Sequence, residues 1–152
     1  MSECTPATMR VVSFSADGLR EAAREGFYDW VLDQDADVIC VQDMRCEERQ
    51  LPDRPFFPEG YYAYFLDSPD GVNGVGIYTR ALPKAIMTGL GLGQADIEAR
   101  YIQADFVDLS VCSVLAPSSV TDQLESRETF LRQLRQTLDK VRNKRRQYIL
   151  CG

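Results

Sequence analysis

Apolar residues along this chain fall into short, nearly continuous runs separated by two longer stretches of helical period. Met9-Arg-Val-Val-Ser-Phe14 reads as a strand, closed by Ala16-Asp-Gly18. From Leu19 to Gln34, the residues Leu19, Ala22, Ala23, Phe27, Trp30 and Val31 share one face at helical spacing, which predicts a long amphipathic helix. Asp35-Ala-Asp37 ends it. Val38-Ile-Cys-Val-Gln42 is apolar almost throughout, the pattern of a strand covered on both faces. Arg45–Gly60 is Pro-rich and charged, a loop with at most a turn of helix.

Tyr61–Leu66 is strand-like, Asp67-Ser-Pro-Asp-Gly71 a turn, and Gly74–Thr79 a strand whose glycines predict close backbone approach. Lys84–Thr88, Tyr101–Phe106 and Leu109–Leu115 complete a strand-rich middle, the last two joined at hairpin length by Val107-Asp108. Gln123–Asn143 is the second helix, with Leu124, Phe130 or Leu131, Leu134, Leu138 and Val141 inward and Thr121 or Asp122 as N-cap. Gln147-Tyr-Ile-Leu-Cys-Gly152 is a final strand. Two helices can cover only one face of so apolar a sheet, which predicts a bare face and a domain incomplete at its C-terminus. The domain is assigned to residues 9–152, and residues 1–8 to a short disordered extension or a start codon placed too early.

Composition changes this picture little. At 152 residues the chain is one domain's length, 45% hydrophobic and 26% charged, as in ordinary globular proteins. It contains no run of 18 apolar residues and no signal-peptide pattern at its start, so no membrane association and a cytoplasmic location are expected. Cys40, Cys112 and Cys151 sit in apolar runs and read as buried thiols of a reducing compartment. Without C-x-x-C spacing or histidine, a zinc site is excluded. The net charge of −6 is uneven. Residues 127–152 carry eight basic and two acidic side chains, and the rest carries nine basic and 21 acidic. An acidic body argues against wholesale binding of nucleic-acid backbone. Lys140, Arg142, Lys144, Arg145 and Arg146 offer one local contact for nucleic acid or a partner, or simply complement a helix C-terminus.

Three clusters end strands: Ser13-Phe-Ser-Ala-Asp-Gly-Leu-Arg20, Val41-Gln-Asp43 and Leu115-Ala-Pro-Ser118. In open α/β sheets, sites are built at the carboxyl ends of strands. With Gly74-Val-Gly-Ile-Tyr78, Glu98-Ala-Arg100 and Tyr148-Ile-Leu-Cys-Gly152, these form six ordered motifs. Together they resemble the endonuclease/exonuclease/phosphatase superfamily, in particular its exodeoxyribonuclease III-like members. The resemblance implies the amino-terminal half of a four-layer α-β-β-α sandwich, an α/β fold with mixed, largely antiparallel sheets and two long helices. It also implies phosphodiester hydrolysis assisted by Mg or Mn, with a carboxylate ligand at Asp43, and DNA as substrate.

The departures bear on that chemistry. The expected ligand Glu is Asp43, whose carboxylate sits roughly 1.5 Å further back. Ser15 and Asp17 replace two asparagines, Leu115 replaces a phosphate-contacting tyrosine, and Ala99 replaces a glycine. The chain holds no histidine to act as general base. Cys40-Val-Gln-Asp-Met-Arg45, Pro83–Gly91, Arg100–Phe106 and Lys144–Gly152 look like the catabolite repression control (Crc) branch of the superfamily. That resemblance implies a non-catalytic regulator without a cofactor, working with the RNA chaperone Hfq and bound mRNA. The alternative is a Mg-dependent exodeoxyribonuclease or abasic-site endonuclease of DNA repair. Catalytic residues stay unassigned. Asp43 and Asp17 are the remnant metal ligands, with Asp17 equally readable as a helix cap. Ser15, Arg100 and Leu115 stand on the phosphate side. Arg20 and Arg100 are expected to pair with acidic residues around the cleft.

Overall fold

A computed structural model describes residues 8–91, 93–118, 124–144 and 146–152. The expected extension at residues 1–8 (all but its last residue), the N-cap candidates Thr121 and Asp122, and Arg145 lie outside the described residues.

The described chain builds two four-stranded sheets. The first has the order β1 (Val11–Ser15), β2 (Val38–Gln42), β4 (Val75–Thr79), β3 (Tyr62–Leu66). The second has the order β5 (Ala85–Thr88), β6 (Tyr101–Asp105), β7 (Leu109–Val114), β8 (Gln147–Cys151). The β1–β2 and β7–β8 pairs are parallel, and every other pair is antiparallel. This is the mixed, largely antiparallel α/β fold the sequence predicts.

The face expected to be bare is covered by the other sheet. Val38, Cys40, Val75 and Ile77 of the first sheet pack between the sheets against Ile102, Ala104, Val111 and Cys151 of the second. Both inner faces therefore lose their apolar surface to each other, which accounts for β2 and β4 being buried along their whole length. Gln42 adds a polar rivet between the sheets. Its amide donates to Ser113 Oγ at 3.0 Å, and Ser113 Oγ donates to the Val41 carbonyl at 2.9 Å. Gly76 answers to close approach, because a Cβ there would lie 2.7 Å from the Phe65 ring.

The outer layers differ. The long helix expected over residues 19–34 is two short ones, α1 (Leu19–Arg24) and α2 (Phe27–Leu32), broken where Gly26 adopts a left-handed φ of 95°. The break re-aims the second half. Phe27, Tyr28 and Val31 are buried, while Trp30, placed on the inner face by period alone, is 51% exposed. Three further helical turns, a 3-10 turn at Glu48–Gln50, α3 (Asp53–Phe56) and α4 (Gln94–Ile97), sit in connections, so the Arg45–Gly60 loop holds two turns of helix rather than one. Over the second sheet lies α5 (Leu124–Val141), burying Phe130 and Leu134 while Leu131 stays exposed, which settles the choice between Phe130 and Leu131. Leu124, expected inward, is exposed at the helix start. Cys40, Cys46, Cys112 and Cys151 are free, buried thiols. No helix among the described residues is long and apolar enough to cross a membrane.

Candidate active site

The cleft forms where β1, β2 and β7 end. Beyond Gln42 the backbone cannot continue as strand, because the loop after β1 crosses it. Ala16 N–H donates to the Gln42 carbonyl at 2.8 Å, Gly18 N–H to Asp43 at 2.9 Å and Leu19 N–H to Met44 at 2.8 Å. From the other side Met44 N–H donates to the Gly74 carbonyl at 3.1 Å. Held by these four bonds, Asp43 has φ 59° and Arg45 φ 52°, and Asp17 across the loop has φ 50°. All three lie in the left-handed region, which costs a non-glycine residue about 1–2 kcal/mol and persists only where surrounding contacts impose it.

Those contacts bring three charges together. Arg45 Nη1 reaches Asp17 Oδ1 at 2.7 Å and its Nε reaches Asp43 Oδ1 at 3.0 Å, so one guanidinium bridges both candidate metal ligands. The Arg45 guanidinium is held further towards its charged form, first by the hydrogen bond to Asp43. Asp17 does not cap the first helix. Gly18 occupies the N-cap position, and no side chain caps it.

A cleft of about 980 Å³ opens beside this cluster, lined by Asp43, Arg45, the loop Ser68–Asn73, Ile97, Glu98, Arg100 and Leu115–Ser118. Arg100 is almost fully buried. It pairs with Glu98 at 2.6 Å and donates to the Leu115 carbonyl at 3.2 Å, the acidic pairing expected of it. The Leu115 N–H returns a bond to the Arg100 carbonyl at 2.8 Å, so the last motif is pinned to the Glu98–Arg100 segment. Leu115 brings only an apolar side chain to the wall. Ser15 ends β1 opposite Gln42, exposed and outside the cleft lining. Arg20 is exposed and forms no ion pair with any described residue, contrary to the expected pairing.

Two parts of the site escaped the sequence reading. Arg45 was one: in the sequence it stands only as the end of the Cys40–Arg45 motif, although its spacing two residues beyond Asp43 is a usable signal, because such a pair can meet when both residues hold left-handed backbone. The other is the Ser68–Asn73 wall, legible only as a turn. Buried Ser68 organises it: its hydroxyl donates to Asp70 Oδ1 at 2.7 Å and accepts the Val72 and Asn73 N–H groups at 3.2 Å. The Ser68 hydroxyl in turn holds the Asp70 carboxyl below its ordinary value.

The basic segment lies elsewhere. Arg127, near the start of α5, donates to the Pro117 carbonyl at the cleft end. The 18-residue helix then runs about 27 Å away from it. Arg146 grips the β6–β7 hairpin through the carbonyls of Phe106 at 2.8 Å and Leu109 at 3.2 Å. Lys140, Arg142 and Lys144 stand at that same far end, with Arg142 facing Asp139 at 3.6 Å. The structure does not bring them to the cleft.

A divalent ion is tested against the donors present. Among the described residues no group of three or more His, Cys, Asp or Glu side chains is arranged to hold a metal. Asp43 and Asp17 are nonetheless hard oxygen donors converging on one cation. Magnesium is commonly held by one or two carboxylates, with water and substrate phosphate completing its shell. The two residues fit such an ion once Arg45 is withdrawn.

Residues 13–152 match the family model described as Endonuclease/Exonuclease/phosphatase family. The chain is 31% identical over 151 residues to the DNA repair nuclease APEX1 of Danio rerio, covering 96% of this chain and 48% of that protein. It is 28% identical over 113 residues to an exodeoxyribonuclease of Bacillus subtilis, covering 73% and 44%. Among solved structures, the 3'-5' exonuclease NExo of Neisseria meningitidis superposes with a TM-score of 0.80 at 16% identity, over 93% of this chain and 56% of that one. The chain thus spans about half the length of the curated relatives it matches. By its two sheets, its ordered strand-end motifs and these likenesses, the chain belongs to the endonuclease/exonuclease/phosphatase family, among exodeoxyribonuclease III- and AP endonuclease-like relatives.

Proposed function

We propose that this chain supplies part of the active site of a divalent-metal-dependent DNA phosphodiesterase, an exodeoxyribonuclease or abasic-site endonuclease of DNA repair. One observation carries this reading. Segments far apart in sequence converge here: Asp43 with Arg45 and the Arg100–Leu115 pair line one cleft, and Asp17 joins them through its ion pair with Arg45. Two named relatives, a DNA repair nuclease and an exodeoxyribonuclease, are enzymes of this class. Magnesium or manganese, when bound, would offset charge on the scissile phosphate. Asp43 and Asp17 would hold it, Arg45 would grip a phosphate oxygen pair, and the Ser68–Asn73 loop would wall the substrate side. The water-activating base would come from residues outside these 152, and the free buried thiols support a reducing, cytosolic setting.

The test is cleavage of an abasic-site duplex by the full-length protein, with magnesium and after its removal by chelation. Cleavage that needs magnesium and falls on the order of 100-fold in Asp43→Asn supports the reading. Folded protein that leaves the duplex intact at every magnesium concentration overturns it.

A second reading is favoured by the same cluster. Arg45 already satisfies both carboxylates, and Leu115 offers no polar group to a phosphate. A Crc-type regulator, working with the RNA chaperone Hfq and bound mRNA, needs neither metal nor base. Lys140, Arg142 and Lys144 would then meet RNA phosphates at the far end. Formation of a ternary complex with Hfq and mRNA, with no cleavage, separates this reading from the first.

A further inference from the structure

Building on the metal-nuclease reading, we propose that Arg45 is a built-in, displaceable cation. In the free protein its guanidinium takes the place of a divalent ion between Asp17 and Asp43. An entering phosphodiester draws it away, so that metal and phosphate bind with mutual reinforcement.

The geometry carries the first half. One guanidinium meets Asp17 at 2.7 Å and Asp43 at 3.0 Å, through two different nitrogens. A divalent ion bound by the same oxygens would lie against that guanidinium, and like charges at such distances repel strongly. Arg45 and the ion therefore exclude each other. The pairing is not a casual surface contact, because all three residues hold left-handed backbone. Four cross-loop hydrogen bonds maintain that conformation around Asp43 and Met44. A long side chain such as arginine gains nothing from this conformation unless its direction matters.

Exposure carries the second half. The Asp43 side chain is 18% exposed and fixed at the strand end, whereas the Arg45 side chain is 54% exposed and lines the cleft. Relative to Asp43 the arginine is thus the movable member, and Asp17, 77% exposed, is free to follow either cation. Its planar fork matches two oxygens of a phosphate as well as it matches carboxylates, and a phosphate in the cleft offers it a new pair of acceptors. Its departure leaves two carboxylates bearing uncompensated negative charge, the condition in which a divalent ion binds best. By linkage the effect is reciprocal: whatever factor phosphate gives to metal affinity, metal gives to phosphate affinity.

The experiment is a manganese titration followed by the EPR signal of free Mn(II), with and without dimethyl phosphate, the smallest phosphodiester. Wild type, Arg45→Met and Arg45→Gly are compared, each checked for folding by circular dichroism. Glycine relieves the left-handed backbone while removing the cation, so it guards against misfolding of the methionine variant. Wild type is expected to bind manganese weakly and several-fold more tightly with dimethyl phosphate. Both variants should bind it about tenfold more tightly than wild type, with dimethyl phosphate then changing nothing. Manganese affinity equal in wild type and variants, with the same response to dimethyl phosphate, overturns this proposal and leaves the nuclease reading standing. Absence of manganese binding in wild type and both variants overturns the two together.

Discussion

The two ends of the sandwich are both charged, yet they differ in how much backbone strain surrounds the charges. At the far end, Arg146 donates to the carbonyls of Phe106, Val107 and Leu109 and to the Ser110 hydroxyl, while Arg80 pairs with Asp35 at 2.6 Å. Arg146 there acts as mortar, tying a hairpin to the strand that follows α5. At the cleft end, Arg100 and Arg127 also donate to carbonyls, of Leu115 and Pro117, but Arg45 bridges two carboxylates at once. Among the described residues, four of the five non-glycine positions with positive φ (Asp17, Asp43, Arg45 and Ala99) lie at this end. Backbone strain of this kind concentrates where a side chain must be aimed, and the contrast assigns chemistry to one pole and architecture to the other.

The sharpest way to break that contrast is to remove one charge from each pole. Asp43→Asn is expected to lower magnesium-dependent cleavage by on the order of 100-fold. Its melting temperature should move by less than about 3 °C, because exposed ion pairs contribute only about 0–1 kcal/mol. Arg146→Met should do the reverse. It leaves several acceptors without a charged donor, for a loss of about 2 kcal/mol. That corresponds to a melting temperature lower by about 4–8 °C in a domain of this size. Cleavage per folded molecule should be unchanged. Thermal melts beside initial cleavage rates decide the matter, and a variant of Arg146 that melts normally but no longer cleaves would place function at the wrong pole.

What the sequence disclosed depended on whether the information was local. The strands were legible because each is a short apolar run bounded by turn residues, and β2 read as doubly covered is buried at every position. The helix break was also written locally, in Arg24-Glu25-Gly26, but the periodicity of Leu19 to Val31 overrode it and put Trp30 on the wrong side. Pairing between the sheets was legible only through the motifs' resemblance to a four-layer sandwich, since a strand covered by helices and one covered by a second sheet have the same apolar signature. At the site, Asp43 and Asp17 were found through motifs. Their shared partner Arg45 was open to reading as a neighbour of Asp43, two residues on, but its reach to Asp17 depends on a loop crossing 28 residues away in sequence, which no pattern of residue types encodes. The position of the basic segment relative to the cleft was not legible for a similar reason. Composition shows that positive charges cluster, whereas only topology shows that α5 carries them away from the cleft.

The finest probe of the strained pole is Ala99, where the motif that Glu98-Ala-Arg100 resembles implies glycine. Its φ of 57° is the conformation glycine favours, and it sits between Glu98 and Arg100, whose side chains pair across the cleft wall. Replacing it by glycine relieves about 1–2 kcal/mol of backbone strain. Against this stand about 0.4–1 kcal/mol of added unfolded-state entropy and about 0.8 kcal/mol for a methyl group, since Ala99 is fully buried. These nearly cancel, so Ala99→Gly should shift stability by less than about 0.5 kcal/mol in urea unfolding. Ala99→Val meets the same strain with a branched side chain and no room gained, and should cost about 2 kcal/mol or more. If glycine instead stabilised the protein by more than about 1 kcal/mol, the methyl would contribute nothing and the alanine would be a pure strain carried for the sake of the Glu98–Arg100 wall. A loss of similar size would mean that packing, not backbone conformation, holds this rim of the cleft.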